Sequence, residues 1–194
     1  MMAGELTAGA ASDQSLKPRL AALLLGVGVI GLISFSLLPW PFAVASTALG
    51  ALMVAGTDVD ARTYLLPDTI TWGAAAAGII ASMTLEPDWW LGLATAFTRA
   101  AGTALLLALA RWGYSRIRRR EGLGLGDVKL AAAIGAWLPL DAIPLCFGMA
   151  AVAALLTVTY AHFRGHRVDG YTRVPLGAFL CPALWLTFFM GVHP

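Results

Sequence analysis

Charge is what this chain has least of. Only 13 Lys and Arg and 11 Asp and Glu occur among 194 residues, 12% of the total, against about 25% in ordinary soluble domains. With a net charge of +2 there is no basic surface of the kind that holds a nucleic acid, and no nucleic-acid partner is expected. Cysteine is nearly absent too. Cys146 and Cys181 lie far apart in apolar blocks, with no Cys-x-x-Cys pair, so they read as small buried apolar residues and not as a disulfide or a metal site. Of the three histidines, His162 and His166 stand four apart around Gly165 without the glutamate of a zinc-protease helix. Ser34 and Ser115 have no general base nearby in sequence. Serine and metal hydrolysis therefore have no residue set here, and neither a metal nor a cofactor is expected.

Apolar sequence, by contrast, is abundant. It makes up 59% of the chain, the mean hydropathy is +0.76, and the apolar residues fall in blocks long enough to cross a hydrocarbon core about 30 Å thick. The expected fold is all-α, a polytopic membrane helical bundle of about seven transmembrane helices in a lipid bilayer. Residues 1–16 are small and polar and read as a flexible tail, leaving 17–194 as a single transmembrane domain. The first span is Leu20 to Leu38. It exceeds the apolar core of a secretory signal, roughly 7–15 residues, and runs straight into another span, so it reads as retained. Pro39-Trp40-Pro41 turns the chain into a second block, Phe42 to about Thr57. Pro67-Asp68-Thr69 opens a third to about Thr84, with Asp68 as its N-cap. Trp89 and Trp90 mark an interface before a fourth, ending near Trp112 and interrupted by Arg99. The fifth is short, Leu125 to Leu138; the sixth runs from Ala142 to about His162, and the seventh from Val174 to Val192.

The basic residues give this topology a direction. Lys17, Arg19, Arg62, Arg111, Arg116, Arg118, Arg119, Arg120, Arg164, Arg167 and Arg173 all fall before span one or after spans two, four and six. Positive charge in short loops stays in the cytoplasm, so the N-terminus is expected inside and the C-terminus outside. Lys129, at the cytoplasmic end of span five, reads as a snorkelling side chain.

The same orientation gathers carboxylates on one side. Asp58, Asp60 and Asp68 lie around spans two and three, and Asp127 opens span five in Gly122-Leu123-Gly124-Leu125-Gly126-Asp127. An acid in or near a span marks a functional site by default. Two carboxylates that share a site repel, so one holds a proton while the other is ionised, and the pair can activate a water and protonate a leaving group. The alternating glycines let an extended strand approach Asp127 closely. Asp58 and Asp60, two residues apart, would diverge by about 200° on a helix, so only one of them can face Asp127. The plain reading of Asp127, as a helix N-cap, stands beside the catalytic one.

These residues resemble the bacterial type IV prepilin leader peptidases, membrane aspartic proteases of the Gly-x-Gly-Asp class. Asp60 followed by Leu66-Pro67-Asp68 matches the first motif; Gly124-Leu125-Gly126-Asp127-Val128-Lys129-Leu130 with Gly135-Ala136-Trp137 matches the second; Val174-Pro175-Leu176-Gly177-Ala178-Phe179-Leu180 matches a later Pro-x-Gly element. The resemblance implies a hydrolase of the inner membrane, with Asp60 and Asp127 as a catalytic dyad at the cytoplasmic face and Gly124, Gly126, Asp68 and Lys129 in substrate-binding or supporting roles. It implies as partner a prepilin or pseudopilin whose basic leader ends in glycine before an apolar helix, in type IV pilus assembly or type II secretion. Larger members have an N-terminal cytoplasmic insertion with paired cysteines, associated with methylating the new N-terminus. Neither is present here, so no methyltransferase activity is expected.

Two other readings stay open on the residues alone. One is a related membrane protease acting on preflagellin or a signal-peptide remnant. The other is a proton or ion pathway using the same carboxylates, although a transporter places such acids near the midplane, often in repeated halves, and no repeat occurs here. Nothing in the sequence sets an oligomeric state.

Overall fold

The structure, a computed structural model, describes residues 18–118, 124–164 and 175–192. The polar tail, Lys17, Arg119, Arg120, Gly122, His166, Arg167 and Arg173 lie outside the described residues. Those described form seven helices and no strand: α1 (Leu20–Leu37), α2 (Trp40–Thr63), α3 (Asp68–Leu85), α4 (Trp89–Arg118), α5 (Leu125–Trp137), α6 (Ile143–Phe163) and α7 (Leu176–Val192). Four of them, α1, α2, α4 and α6, are long and apolar enough to cross a membrane; α7 is a shorter apolar helix.

Helix α2 overruns its expected end near Thr57 and carries Asp58 and Asp60 within its last turns. Arg62 pairs with Asp58 one turn back, Nη2 to Oδ2 at 2.6 Å, the i,i+4 arrangement that prolongs a helix past its apolar run. Helix α4 likewise continues to Arg118 instead of stopping near Trp112. Asp68 is the first helical residue of α3 and not its N-cap, a position held by Pro67. Proline suits that place because its fixed φ leads into a helix and its missing N–H is not required there.

Helix α5 organises the packing. It lies against α3 and α4 and touches α7, while α2 packs on α1, α3 and α7, and α6 docks on α7. From Leu130 onward its sequence is apolar all round, as a buried helix requires, and every residue from Ala133 to Leu138 is buried. Small residues permit the approach. A Cβ added to Gly135 would collide with the carbonyl oxygen of Arg99 on α4, and one on Gly78 would stand 2.7 Å from the Trp137 ring. Trp137 donates from Nε1 to the Ala74 carbonyl of α3 at 2.8 Å and meets Phe188 of α7 edge-on, with centroids 5.2 Å apart. The Gly-Ala-Trp segment is thus the clamp that holds α5 to α3, α4 and α7. A second clamp joins α1, α2 and α7: Trp185 Nε1 donates to Ser46 Oγ at 3.1 Å, and Ser46 shares a 2.9 Å hydrogen bond with Ser34.

Candidate active site

The clamps bring four helix ends together: the C-terminus of α2 and the N-termini of α3, α5 and α7. Asp60 sits one turn from the end of α2 and is 5% exposed. Its Oδ2 accepts the backbone N–H of Ala178 at 2.8 Å, and the N–H of Gly177 is directed at the same carboxylate. The first four N–H groups of a helix have no partner within it, and α7 begins at Leu176, so Asp60 caps α7 from another helix. A Cβ at 177 would stand 2.8 Å from Asp60 Oδ2, so any residue larger than glycine there must displace the carboxylate or the helix.

Asp58 points elsewhere. Its Oδ2 accepts the Arg19 backbone N–H at 2.8 Å as well as the Arg62 guanidinium, so it caps α1 and closes an ion pair. The divergence of i and i+2 on a helix separates the two acids. Asp60 is the one turned towards α7.

Asp127 is the third residue of α5, not its N-cap, and its Oδ2 accepts the N–H of Gly124, the capping residue, at 3.1 Å. Glycine at 124 offers no side chain to cap the helix, so the aspartate supplies half of a capping box alone. The Asp60 charge reaches the Asp127 carboxyl through space, with no hydrogen bond between the two acids among the described residues. Cys181 stands one turn along α7 from Gly177. Lys129 does not snorkel free: its Nζ meets Asp68 Oδ1 at 2.5 Å, tying α5 to α3. Gly126 faces Leu66, whose Cβ would lie 3.2 Å from a Cβ added there. Of the residues expected here, then, Asp60 and Asp127 are linked by charge alone, Asp68 and Lys129 pair directly, and Gly124 and Gly126 shape the first turn of α5. Among the described residues no group of three or more His, Cys, Asp or Glu side chains is placed to hold a metal.

Gly177 and Ala178 were legible only as part of a motif. Their grip on Asp60 spans 118 residues, and no local pattern carries it. Arg99, the basic residue inside α4, keeps its Nε buried without a hydrogen-bond partner among the described residues.

The family model described as the type IV leader peptidase family matches residues 48–159, which include Asp60, Asp68, Asp127 and Lys129. A prepilin leader peptidase/N-methyltransferase of Burkholderia pseudomallei is 33% identical over 174 residues, 89% of this chain and 53% of the relative. One from Xanthomonas campestris pv. campestris is 32% identical over 158 residues, 78% of this chain and 53% of its own. Leader peptidase HopD of Escherichia coli is 33% identical over 143 residues, 74% of this chain and 88% of that protein. The chain thus spans about half the length of the two bifunctionally named relatives, and most of the third. No solved structure matches it.

Proposed function

Because the chain belongs to the type IV leader peptidase family, we propose that it is a membrane aspartic endopeptidase that removes the leader from a prepilin or pseudopilin, with Asp60 and Asp127 as its dyad. The observation that carries this is a buried Asp60 on α2, held by the N-terminus of α7 and within electrostatic reach of Asp127 on α5, in a chain with so few acids. One carboxylate takes a proton from water as the water oxygen bonds to the scissile carbonyl carbon. The other gives its proton to the nitrogen as the carbon–nitrogen bond breaks. Neither step calls for a cofactor.

The reading extends to placement. The Lys and Arg residues of alternate loops favour a cytoplasmic N-terminus, with the four converging helix ends on that side of the inner membrane. The Asp68–Lys129 pair holds α3 to α5, and Gly124 and Gly126 keep the Asp127 turn compact. The proposal covers leader cleavage alone.

The test is cleavage of a prepilin from the same genome, co-expressed in membranes with the wild type or with Asp58→Asn, Asp60→Asn or Asp127→Asn. Loss of cleavage with Asp60→Asn and Asp127→Asn, but not with Asp58→Asn, supports the dyad. Full cleavage by both of the former removes the protease mechanism and directs attention to ion flux.

A further inference from the structure

Between Asp60 and α3 the chain does something unusual for a membrane bundle. Helix α2 ends on Tyr64 in the left-handed region, φ 55°, a conformation unfavourable to a residue with a Cβ. The turn releases residues 65–67 from helical structure, with Pro67 at φ −61° and ψ 139°. The side chains of Tyr64 and Leu65 are 52% and 62% exposed. Leu65 uses its own backbone groups locally, exchanging bonds of 3.3 and 3.2 Å with Thr63 Oγ1. Pro67 has no N–H, and its carbonyl accepts from Ile70 and Thr71. Leu66 is different: neither its N–H nor its C=O makes a hydrogen bond among the described residues. It lies against α5 at Gly126, from whose added Cβ its backbone O and N would be 3.8 and 3.9 Å away. A free donor and a free acceptor on one residue therefore stand beside the turn that carries Asp127.

The dyad needs such a partner. The leader's last glycine stands just before the apolar helix, where its carbonyl accepts the first bond of the helical ladder, so that first turn must open before water can reach the scissile bond. Opening frees N–H and C=O groups at the membrane surface, where leaving them unpaired is costly. An exposed extended segment can take them up by strand addition. Building on the leader-peptidase reading, the geometry points to Leu66 as the residue that pairs, antiparallel, with the opened substrate next to its cleaved bond. Pro67 on one side and the Thr63-bound Leu65 on the other limit this to one hydrogen-bonded pair. In an antiparallel ladder that pair exchanges both bonds, and the adjacent residues face away. Leu66 thereby fixes the register of the substrate, and the dyad acts at a set distance from it.

The prediction is positional. A synthetic peptide with a lysine-rich leader ending in glycine and a short apolar segment is N-methylated at one residue at a time, sparing the scissile amide, and cleaved by the full-length protein in micelles. One position near the cleaved bond should raise KM about tenfold, as expected for two lost hydrogen bonds, with kcat changed far less and its immediate neighbours tolerant. Leu66→Pro, which removes the N–H while suiting extended backbone, should raise KM on the parent peptide similarly and add nothing on the sensitive N-methyl peptide. Uniform tolerance, uniform sensitivity, or additive effects of the two changes would overturn the pairing. Should Leu66→Pro aggregate, the wild-type scan decides alone: a single sensitive position sustains the pairing and its absence refutes it. Failure of the wild type to cleave even the parent peptide would instead bring down the peptidase reading, and the pairing with it.

Discussion

Asp60 and Ala178, 118 residues apart in sequence, are joined by a 2.8 Å hydrogen bond from the Ala178 N–H to the Asp60 carboxylate. That bond makes one aspartate both the candidate catalytic acid of α2 and the cap of α7. Position and chemistry are therefore not separable at this residue.

Gly177→Ala tests the coupling. The added methyl would stand 2.8 Å from Asp60 Oδ2, so carboxylate or helix must shift, at a cost of about 1–3 kcal/mol. Leader cleavage should fall at least tenfold while the purified protein stays monodisperse. Unchanged cleavage would show that Asp60 is not held from α7.

Asp58→Ala should have the opposite profile. It removes the Arg62 pair and the acceptor for the Arg19 N–H, worth about 1 kcal/mol together. A melting temperature lowered by a few degrees with cleavage intact is the expected result. Loss of cleavage at unchanged stability would place Asp58 in the dyad.

The Asp68–Lys129 pair is exposed at the Asp68 end, where the side chain is 66% accessible, so solvent and salt weaken it. A double-mutant cycle with Asp68→Asn and Lys129→Met should give a coupling of about 0.5 kcal/mol in stability, shrinking as salt is raised. A coupling well above 1 kcal/mol would mark the pair as more than a surface tie between α3 and α5.

Trp137→Phe keeps the ring against Phe188 but deletes the donor to the Ala74 carbonyl. The expected loss is about 1 kcal/mol, read as earlier thermal unfolding in micelles. Gly135→Val should do far more damage, because its side chain would collide with the Arg99 carbonyl and part α5 from α4. If Gly135→Val melts like the wild type, α5 is not packed against α4 at that point.

Much of this architecture is readable before any coordinates. The apolar blocks foretell the helices because the hydrocarbon core imposes one length scale on each crossing. The ends are harder. α2 runs on through Asp58, Asp60 and Arg62, since an i,i+4 ion pair extends a helix without adding hydropathy. The family motif that ends in Leu66-Pro67-Asp68 implies Asp60 rather than Asp58, and helical geometry turns the two acids apart. What the sequence hides is long-range: the cap on α7, the Lys129 pairing across 61 residues and the Trp137 bond across 63 each join positions that no local periodicity relates. Gly177 and Trp137 are visible there as motif letters, and their reasons emerge only when the helices meet.

The brevity of α5 decides its place in the bundle. Thirteen residues make a helix of about 20 Å, some 10 Å less than a typical hydrocarbon core. Every residue from Ala133 to Trp137 is buried against α3, α4 and α7, so protein and not lipid surrounds the end that a helix this short cannot carry further. α5 is a post walled in by its neighbours, and what it fixes is the place of Asp127 at its other end.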